Sequence, residues 1–258
     1  MPFTVSHAVA AVPLRRLLGA RAVASALVIG AMVPDLRYFV PRGHSWPTHT
    51  PEASLWFALP LGLATYVLFH GLLREPVLAL LPIGVRRRLG ALLRPSAHAP
   101  LLLVIVSVLV GAASHLLWDL PTHHATLVTS RFPAFEVVAM TIRGHDFRVY
   151  SVLQHVSSVV GLGLLIAWCR RWLRAQPVDA SIGAGASPSA RRAGVALVVV
   201  VPFLAFVARW AFVVRRGRGA ALGLGLAIRA GGMAFALGLV IFALGWRVAV
   251  GSRQEETR

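Results

Sequence analysis

The 258-residue sequence has little charge and very little negative charge. Only 14% of the residues are charged and only nine are acidic, whereas in soluble domains roughly a quarter of the residues are charged. With 57% hydrophobic residues and a mean hydropathy of +0.72, the composition excludes a soluble globular enzyme. It predicts a polytopic membrane protein, because the apolar residues form blocks long enough to cross a bilayer.

The sequence contains no lysine and only one cysteine. The single cysteine, Cys169, excludes an internal disulfide. All 26 basic residues are arginines, and they give a formal net charge of +17. Such a charge is also found in nucleic-acid-binding proteins, but these arginines form short clusters between apolar blocks, as at 86–88 and 170–174. That pattern is typical of the cytoplasmic loops of membrane proteins, so we expect no nucleic-acid partner.

Six apolar blocks are candidates for membrane-spanning helices. They cover residues 22–34 extended to about 40, 54–73, 99–118, 150–169, 194–214 and about 220–246. The flanking arginines place the start of the first block in the cytoplasm and give the first four blocks one consistent alternation. Residues 5–18 are shorter than the roughly 20 residues that a span needs. A short helix packed inside the bundle and a membrane crossing both stay open for that segment.

Two further segments complete the expected organisation. Residues 75–94 mix apolar residues with an arginine cluster, which predicts a helix lying in the cytoplasmic interface. Small, polar and proline residues at 175–193 predict a linker between a motif-bearing domain, 1–174, and a two-helix tail with a basic C-terminus, 194–258. The predicted fold class is all-α: a polytopic transmembrane helical bundle with about six or seven membrane-embedded helices plus the interfacial helix.

The scarce histidines and aspartates of residues 1–174 fall at span ends on one side of the membrane. They are Asp35, His49, His115, Asp119, His123 and His155, with His7 at the same level if residues 5–18 descend from the outer side. Unrelated loop histidines have no reason to gather in this way, whereas ligands for a cation between helices do. The pattern predicts a metal site at the outer face with these residues as its ligands.

The most specific pair is His115 with Asp119. The two residues are four positions apart in SHLLWD, so on a helix their side chains share one face and offer a two-ligand grip for zinc, manganese or iron. A turn after the helix would bring His123 over the same site. For Asp35 an ion pair with Arg37 at the interface is the alternative to a metal ligand.

Five strings occur in order along the chain: PFTVSHAVAAVPL, IGAMVPDLRYF, THTPEASLWFALPLG, SHLLWDLPTH and VYSVLQHVSSVVGL. On these strings, which cover about residues 2–174, the chain resembles the bacterial integral-membrane family known as domain of unknown function 4184. That resemblance implies a helical membrane protein and no particular activity. The tail from about residue 175 adds nothing to it.

The same strings are similar, more distantly, to the membrane-bound metal-dependent hydrolases, an inner-membrane group related in pattern to zinc-dependent phospholipase C. This second resemblance implies a zinc site. Its ligands would be His7, Asp35, His49, His115 and Asp119, with His155 as a weaker candidate. The chain departs from the pattern in having one acid after Pro34, where those hydrolases often have two, and in having Thr50 in place of a serine. The missing acid argues against a multinuclear site.

Two functions from different classes remain. The first is a metal-dependent hydrolase in the bacterial inner membrane, acting on a membrane-borne ester or phosphoester such as a lipid or lipid-linked substrate. A divalent transition metal, zinc foremost, would lower the pKa of a bound water, with Asp35 or Asp119 as general base. The second is a non-catalytic membrane protein, a small permease or assembly partner, with a buried His/Asp hydrogen-bond network. Both reside in the lipid bilayer, and the oligomeric state stays open.

Overall fold

The computed structural model describes residues 4–39, 46–90, 99–142, 144–183, 185–217 and 220–255. Within these ranges the α-helices are α1 (Ala11–Leu18), α2 (Ala24–Met32), α3 (Ser54–Leu80), α4 (Ile83–Arg88), α5 (Leu101–Asp119), α6 (Leu127–Arg131), α7 (Val149–Ala175), α8 (Pro188–Arg215) and α9 (Ala220–Glu255). Single π-helical turns interrupt α3 and α8. The predicted all-α polytopic class is confirmed, because α3, α5, α7, α8 and Leu222–Ala249 of α9 are long and apolar enough to cross a membrane.

The first predicted span is not among these five helices. The nine-residue helix α2 continues as a 3-10 helix over Val33–Phe39, because Pro34 has no N–H for the next α-helical hydrogen bond. Before it, the chain forms a 3-10 helix over Thr4–Ala10 and then α1, which ends at Gly19 with a φ of 59°. Among the described residues before α3, the helices are short and none has the length of a span.

The first compact unit comprises residues 1–37, 42–66 and 98–171, and α2 lies against α5 within it. A Cβ atom on Gly30 would lie 2.2 Å from the carbonyl oxygen of Val108, and one on Gly111 would lie 2.4 Å from that of Leu27. These distances are too short for any side chain, so the two backbones touch at the glycines. The surrounding side chains are fully buried: Ala26, Leu27, Ala31, Val108 and Ala112.

The connection from α5 to α7 contains structure that the sequence analysis did not predict. It consists of α6, a 3-10 turn at Pro133–Glu136 and an antiparallel hairpin of β1 (Val138–Ile142) and β2 (His145–Arg148). All five residues of β1 are exposed. Neither strand sequence, VAMTI or HDFR, has the apolar-polar alternation by which a half-buried strand is recognised in a sequence.

The second compact unit comprises residues 38–41, 67–97 and 172–258. The predicted linker is held by backbone hydrogen bonds, from Ala186 N–H to the Ala79 carbonyl at 3.0 Å and from Asp179 N–H to the Arg87 carbonyl at 2.9 Å. Its last part is helical, because α8 begins at Pro188. The predicted interfacial segment 75–94 contains the end of α3 and the short helix α4, and residues 91–94 lie outside the described residues.

Candidate metal centre

Acidic and imidazole side chains meet in the first unit, where the ends of several segments come together. His7 lies in the Thr4–Ala10 helix, Asp35 in the Val33–Phe39 helix, His49 in the segment before α3, and His115 and Asp119 near the end of α5. The exposed fractions are 1% for His7, 2% for Asp35, 0% for His115 and 5% for Asp119. Burial of so many ionisable groups is costly unless they are paired or hold a cation. The His49 side chain is 21% exposed and connects the cluster to solvent.

The glycine contact between α2 and α5 positions the most buried imidazole. Ala31 directly follows Gly30, and His115 lies one helical turn after Gly111. The Ala31 carbonyl oxygen is consequently 2.8 Å from His115 Nδ1. At the other end of the same contact, the Val23 N–H donates to Ser107 Oγ at 3.0 Å, which fixes the start of α2 against α5.

Hydrogen bonds determine which ring nitrogen carries hydrogen in two of the histidines. A carbonyl oxygen can only accept, so His115 Nδ1 donates to Ala31. His49 Nδ1 is 3.1 Å from Thr48 Oγ1, and that hydroxyl donates its own hydrogen to the Pro34 carbonyl at 2.9 Å. His49 Nδ1 therefore donates as well. Each ring, when neutral, presents an unprotonated Nε2 to the cluster.

Four potential ligand atoms converge: Nε2 of His49, Nε2 of His115, Oδ1 of Asp35 and Oδ2 of Asp119. His49 Nε2 lies 3.2 Å from His115 Nε2, 3.2 Å from the Asp35 oxygen and 3.4 Å from the Asp119 oxygen. His115 Nε2 lies 3.2 Å from the Asp119 oxygen and 3.7 Å from the Asp35 oxygen. Ligands arranged tetrahedrally at about 2.0–2.1 Å from zinc are about 3.3–3.4 Å apart. The five separations, 3.2 to 3.7 Å, are close to the edges of such a tetrahedron.

Several buried polar atoms of the cluster lack hydrogen-bond partners. Among the described residues, neither carboxylate oxygen of Asp119 and neither ring nitrogen of His7 has a partner in hydrogen-bond geometry. Asp119 Oδ1 faces His123 Nδ1 at 3.3 Å and His7 Nε2 at 3.7 Å. The His7 ring stacks on that of His115, with centroids 3.9 Å apart. A buried carboxylate without donors is strongly unfavourable, so the residues present fit a metal ion. The buried His and Asp groups could hold one.

The site residues outside the membrane-spanning helices have shifted pKa values. Burial and the neighbouring His115 lower the pKa of His7 to about 4, so its ring is neutral at pH 7. Burial raises the pKa of the Asp35 carboxyl, but its contact with His49, the neighbouring imidazoles of His115 and His49, and the hydrogen bond from Thr4 outweigh burial and lower that pKa to about 2. Burial also lowers the pKa of His123, against the opposing charge of Asp119.

Three of the predicted ligands lie outside the group of four: His123, His155 and His7, the last of which stacks on His115. His123 is at the rim, with a 27% exposed side chain, and its Nε2 is 2.8 Å from Gln154 Nε2. His155 is exposed on α7, where its Nδ1 lies 2.7 Å from the Ser151 carbonyl and its ring faces Phe147. The structure does not bring His155 to the cluster, because the preceding residue, Gln154, occupies the helix face that points there.

Three groups that orient the candidate ligands were not predicted from the sequence. Thr4 donates from its hydroxyl to Asp35 Oδ2 at 2.8 Å, Thr48 orients His49, and the Ala31 carbonyl orients His115. The Asp35 carboxylate points into the cluster, while Arg37 donates to the Trp46 carbonyl. This arrangement favours a ligand role for Asp35 over an ion pair with Arg37 at the interface. The string THTPEASLW contained a signal for Thr48, since a hydroxyl beside a histidine can fix its tautomer. The role of the Ala31 carbonyl could not be predicted, because every residue has a backbone carbonyl.

Comparison with known proteins identifies the family. A model described as domain of unknown function (DUF4184) matches residues 1–244. The match includes α8 and most of α9, beyond the five strings at 2–174, and it carries no relation to the membrane-bound metal-dependent hydrolases. No curated protein and no solved structure matches the chain. Because the family model covers nearly the whole sequence, the chain belongs to the DUF4184 family.

Proposed function

We propose that this protein of the bacterial cytoplasmic membrane binds a divalent transition metal ion, zinc foremost, at its outer face and hydrolyses a membrane-borne ester or phosphoester. The observation that carries the proposal is the pair of Nε2 atoms of His49 and His115, 3.2 Å apart with both hydrogens held on Nδ1. With both rings neutral, two nitrogen lone pairs face each other at that distance and repel. A cation between them turns the repulsion into attraction.

The ligands would be His49, His115, Asp35 and Asp119, of which Asp119 would leave its position to water, because a catalytic zinc keeps one of its four positions open. Imidazole nitrogens with carboxylate oxygens form a donor set suited to zinc. The hydrogen bonds that Thr48, Thr4 and the Ala31 carbonyl make with these side chains are of the kind that orients metal ligands. His49 is the most exposed of the four ligands. Substrate would therefore approach from the side of His49.

The chemistry would be divided between the cation and the chain. When bound, the cation lowers the pKa of a water molecule and polarises the scissile ester or phosphoester oxygen. Asp119 is the general base, because its Oδ1 points away from the four converging atoms and has no hydrogen donor among the described residues. The proton would then leave to solvent on the partly exposed side of His123. Asp35 is held as a ligand, since its Oδ2 already accepts from Thr4.

The location of the site supports a membrane-borne substrate and an outer-face position. Asp119 is the last residue of α5, a helix long and apolar enough to cross the membrane. The arginine clusters at 86–88 and 170–174 flank the opposite ends of the neighbouring spans, and arginine is enriched on the cytoplasmic side. A site at a helix end lies at headgroup depth, where lipid esters and phosphoesters are the nearest substrates.

The test begins with metal content. The protein purified in detergent, stripped with chelator and reloaded with zinc should retain about one ion per chain, and His115→Ala or Asp119→Ala should retain less than about a tenth of an equivalent. His155→Ala is the matched control and should bind like the unmodified protein. The loaded protein should hydrolyse p-nitrophenyl esters or phosphodiesters, and Asp119→Asn should not. Absence of bound zinc in the unmodified protein would overturn the proposal.

A second candidate function rests on a separate observation. Gln154, His123 and Asp119 form a chain of close polar contacts, 2.8 and 3.3 Å, from the rim into the cluster. Such a chain favours a proton relay in a non-catalytic membrane protein, with a proton rather than a metal ion between the two Nε2 atoms. In that case the purified protein would bind no zinc and hydrolyse no ester, while His115→Ala would still reduce its stability.

A further inference from the structure

An apolar groove opens in the first unit beside the candidate metal centre. It lies between the end of α5 and the first half of α7, and its volume is about 350 Å³. Its walls come from Trp118, Pro121 and Thr122 on one side and from Leu153, Val156 and Val160 on the other. Almost the entire lining is apolar, in contrast to the charged cluster one residue away at Asp119.

The groove follows one face of α7. Leu153, Val156, Ser157 and Val160 have the spacing i, i+3, i+4, i+7, so they form a stripe that runs for about 10 Å along the helix. Leu153, Val156 and Val160 are 38%, 53% and 52% exposed, and no described part of the chain covers them. The one polar side chain of the stripe is occupied, since Ser157 Oγ accepts from Trp118 Nε1 at 3.3 Å.

The groove is continuous with the cluster at its outer end. Thr122 lines it and places its hydroxyl 3.1 Å from His123 Nδ1. Trp118 lines it too, and the edge of its ring meets His7 with centroids 5.7 Å apart. A molecule with a polar head at the cluster and a hydrocarbon tail in the groove would contact both surfaces without crossing a gap.

We propose that this groove binds the acyl chain of the substrate, which makes the substrate an acyl lipid whose hydrocarbon chain adjoins the scissile group. That the lipid is a substrate rests on the proposed hydrolase function, but the groove binds the acyl chain whether or not hydrolysis follows. Ordinary bilayer lipid touches every exposed apolar residue of α7 equally. The groove instead holds one chain in a fixed position, with its polar end at the cluster.

Photolabelling tests the groove without relying on activity. The full chain is reconstituted in phosphatidylcholine nanodiscs containing a trace of phosphatidylcholine with a diazirine in its acyl chain, and labelled residues are mapped by mass spectrometry. Val156→Trp fills the groove. Val159→Trp is the matched control, because Val159 lies on the same helix, is 72% exposed and does not line the groove.

We expect Leu153, Val156 and Trp118 to be labelled more strongly than Val159, although Val159 is more exposed. Val156→Trp should reduce labelling at Trp118 by about tenfold, equivalent to about 1.4 kcal/mol of binding, and Val159→Trp should leave it unchanged. Labelling that simply follows exposure, with both variants alike, would mean that only surrounding bilayer lipid occupies the groove and would overturn the inference.

Chain-length dependence separates this inference from the proposed function. The zinc-loaded protein should hydrolyse p-nitrophenyl decanoate with a higher kcat/KM than the acetate. Val156→Trp should lose this preference, whereas Val159→Trp should keep it. Hydrolysis of both esters with equal efficiency and unselective labelling would overturn the groove and leave the hydrolase. Selective labelling without any zinc binding or hydrolysis would overturn the hydrolase and leave the groove.

Discussion

His49 and His115 face each other through Nε2 atoms 3.2 Å apart, and each ring is anchored through Nδ1 by an oxygen from a different part of the chain. For His115 that oxygen is the Ala31 carbonyl, which no substitution removes. For His49 it is the Thr48 hydroxyl, which a substitution can remove. Because of these two hydrogen bonds, the geometry of the ligands depends on residues other than the four ligands themselves. The first two predictions test this dependence.

Thr48→Val should weaken zinc binding about 10- to 100-fold, because His49 loses the acceptor that keeps the hydrogen on Nδ1. The number of ions bound at saturation should stay the same. Competition with a chromophoric chelator measures the affinity. Thr50→Val is the control, since Thr50 Oγ1 accepts from the Ala53 N–H and lies one residue beyond His49. Equal affinities for the two variants would contradict the role assigned to Thr48.

Gly111→Ala should separate α2 from α5, because the new Cβ would lie 2.4 Å from the Leu27 carbonyl oxygen. We expect a loss of about 1–3 kcal/mol in the free energy of unfolding and a loss of most of the stabilisation that zinc provides. Thermal unfolding in detergent, with and without zinc, measures both. Gly163→Ala on α7 is the control, because nothing lies within 4 Å of its added methyl group. A Gly111 variant that zinc stabilises normally would refute this coupling.

The zinc-free protein should lose stability as the pH falls from 6.5 to 4. The pKa of His7 is about 4 in the folded protein against an ordinary value of 6.5, so in this window the unfolded chain binds a proton that the folded chain does not. Stability is then lost with acid, on the order of 3 kcal/mol from this one group.

His7→Phe should flatten the stability profile between these pH values, since phenylalanine retains the stacking on His115 and cannot titrate. Below pH 4, Asp35 adds a loss of the same sign, because its carboxyl, with a pKa of about 2 instead of 3.8, resists protonation in the folded state. Chemical unfolding in detergent with chelator present gives the measurement. A profile of the His7 variant as steep as that of the unmodified protein would assign the titration to other groups.

The orientation of the centre can be tested by cysteine labelling in whole cells. Cys169, which is exposed, is first replaced by serine. A cysteine in place of His124, whose side chain is 69% exposed, should react with an impermeant maleimide from outside. A cysteine in place of Arg171 at the other end of α7 should react only after the membrane is permeabilised. The reverse pattern would move the centre to the cytoplasmic face.

The crossing helices could be predicted from the sequence, but the first predicted span is not among the helices of spanning length. Hydropathy identifies α3, α5 and α7 because each has an apolar run of spanning length. Residues 22–34 are just as apolar, but other parts of the protein bury them, as the fully buried Ala26 and Leu27 show. Hydropathy measures the avoidance of water. It does not distinguish burial in lipid from burial in protein.

The part of the candidate site that depends on residue spacing along one helix could be predicted from the sequence. The four-residue interval places His115 and Asp119 on one face of α5, and the structure has them there. The approach of His7 and Asp35 depends on the crossing of α2 with α5, which no local pattern encodes. His155 was misplaced because neighbouring helix residues point about 100° apart, so that Gln154 faces His123 and His155 faces elsewhere.

The backbone contact at Gly30 and Gly111 has a consequence for how the protein meets bilayers of different thickness. With a carbonyl seated at each glycine, α2 cannot slide along α5 without a collision, so the two move as one body. α5 has 19 residues and a length of about 28 Å, close to the roughly 30 Å hydrocarbon core. The 27 residues of α3 and of α7 exceed that length, so thinner or thicker lipid is accommodated by their tilt. We therefore expect the cluster at the end of α5 to keep a constant depth below the headgroups as lipid composition changes.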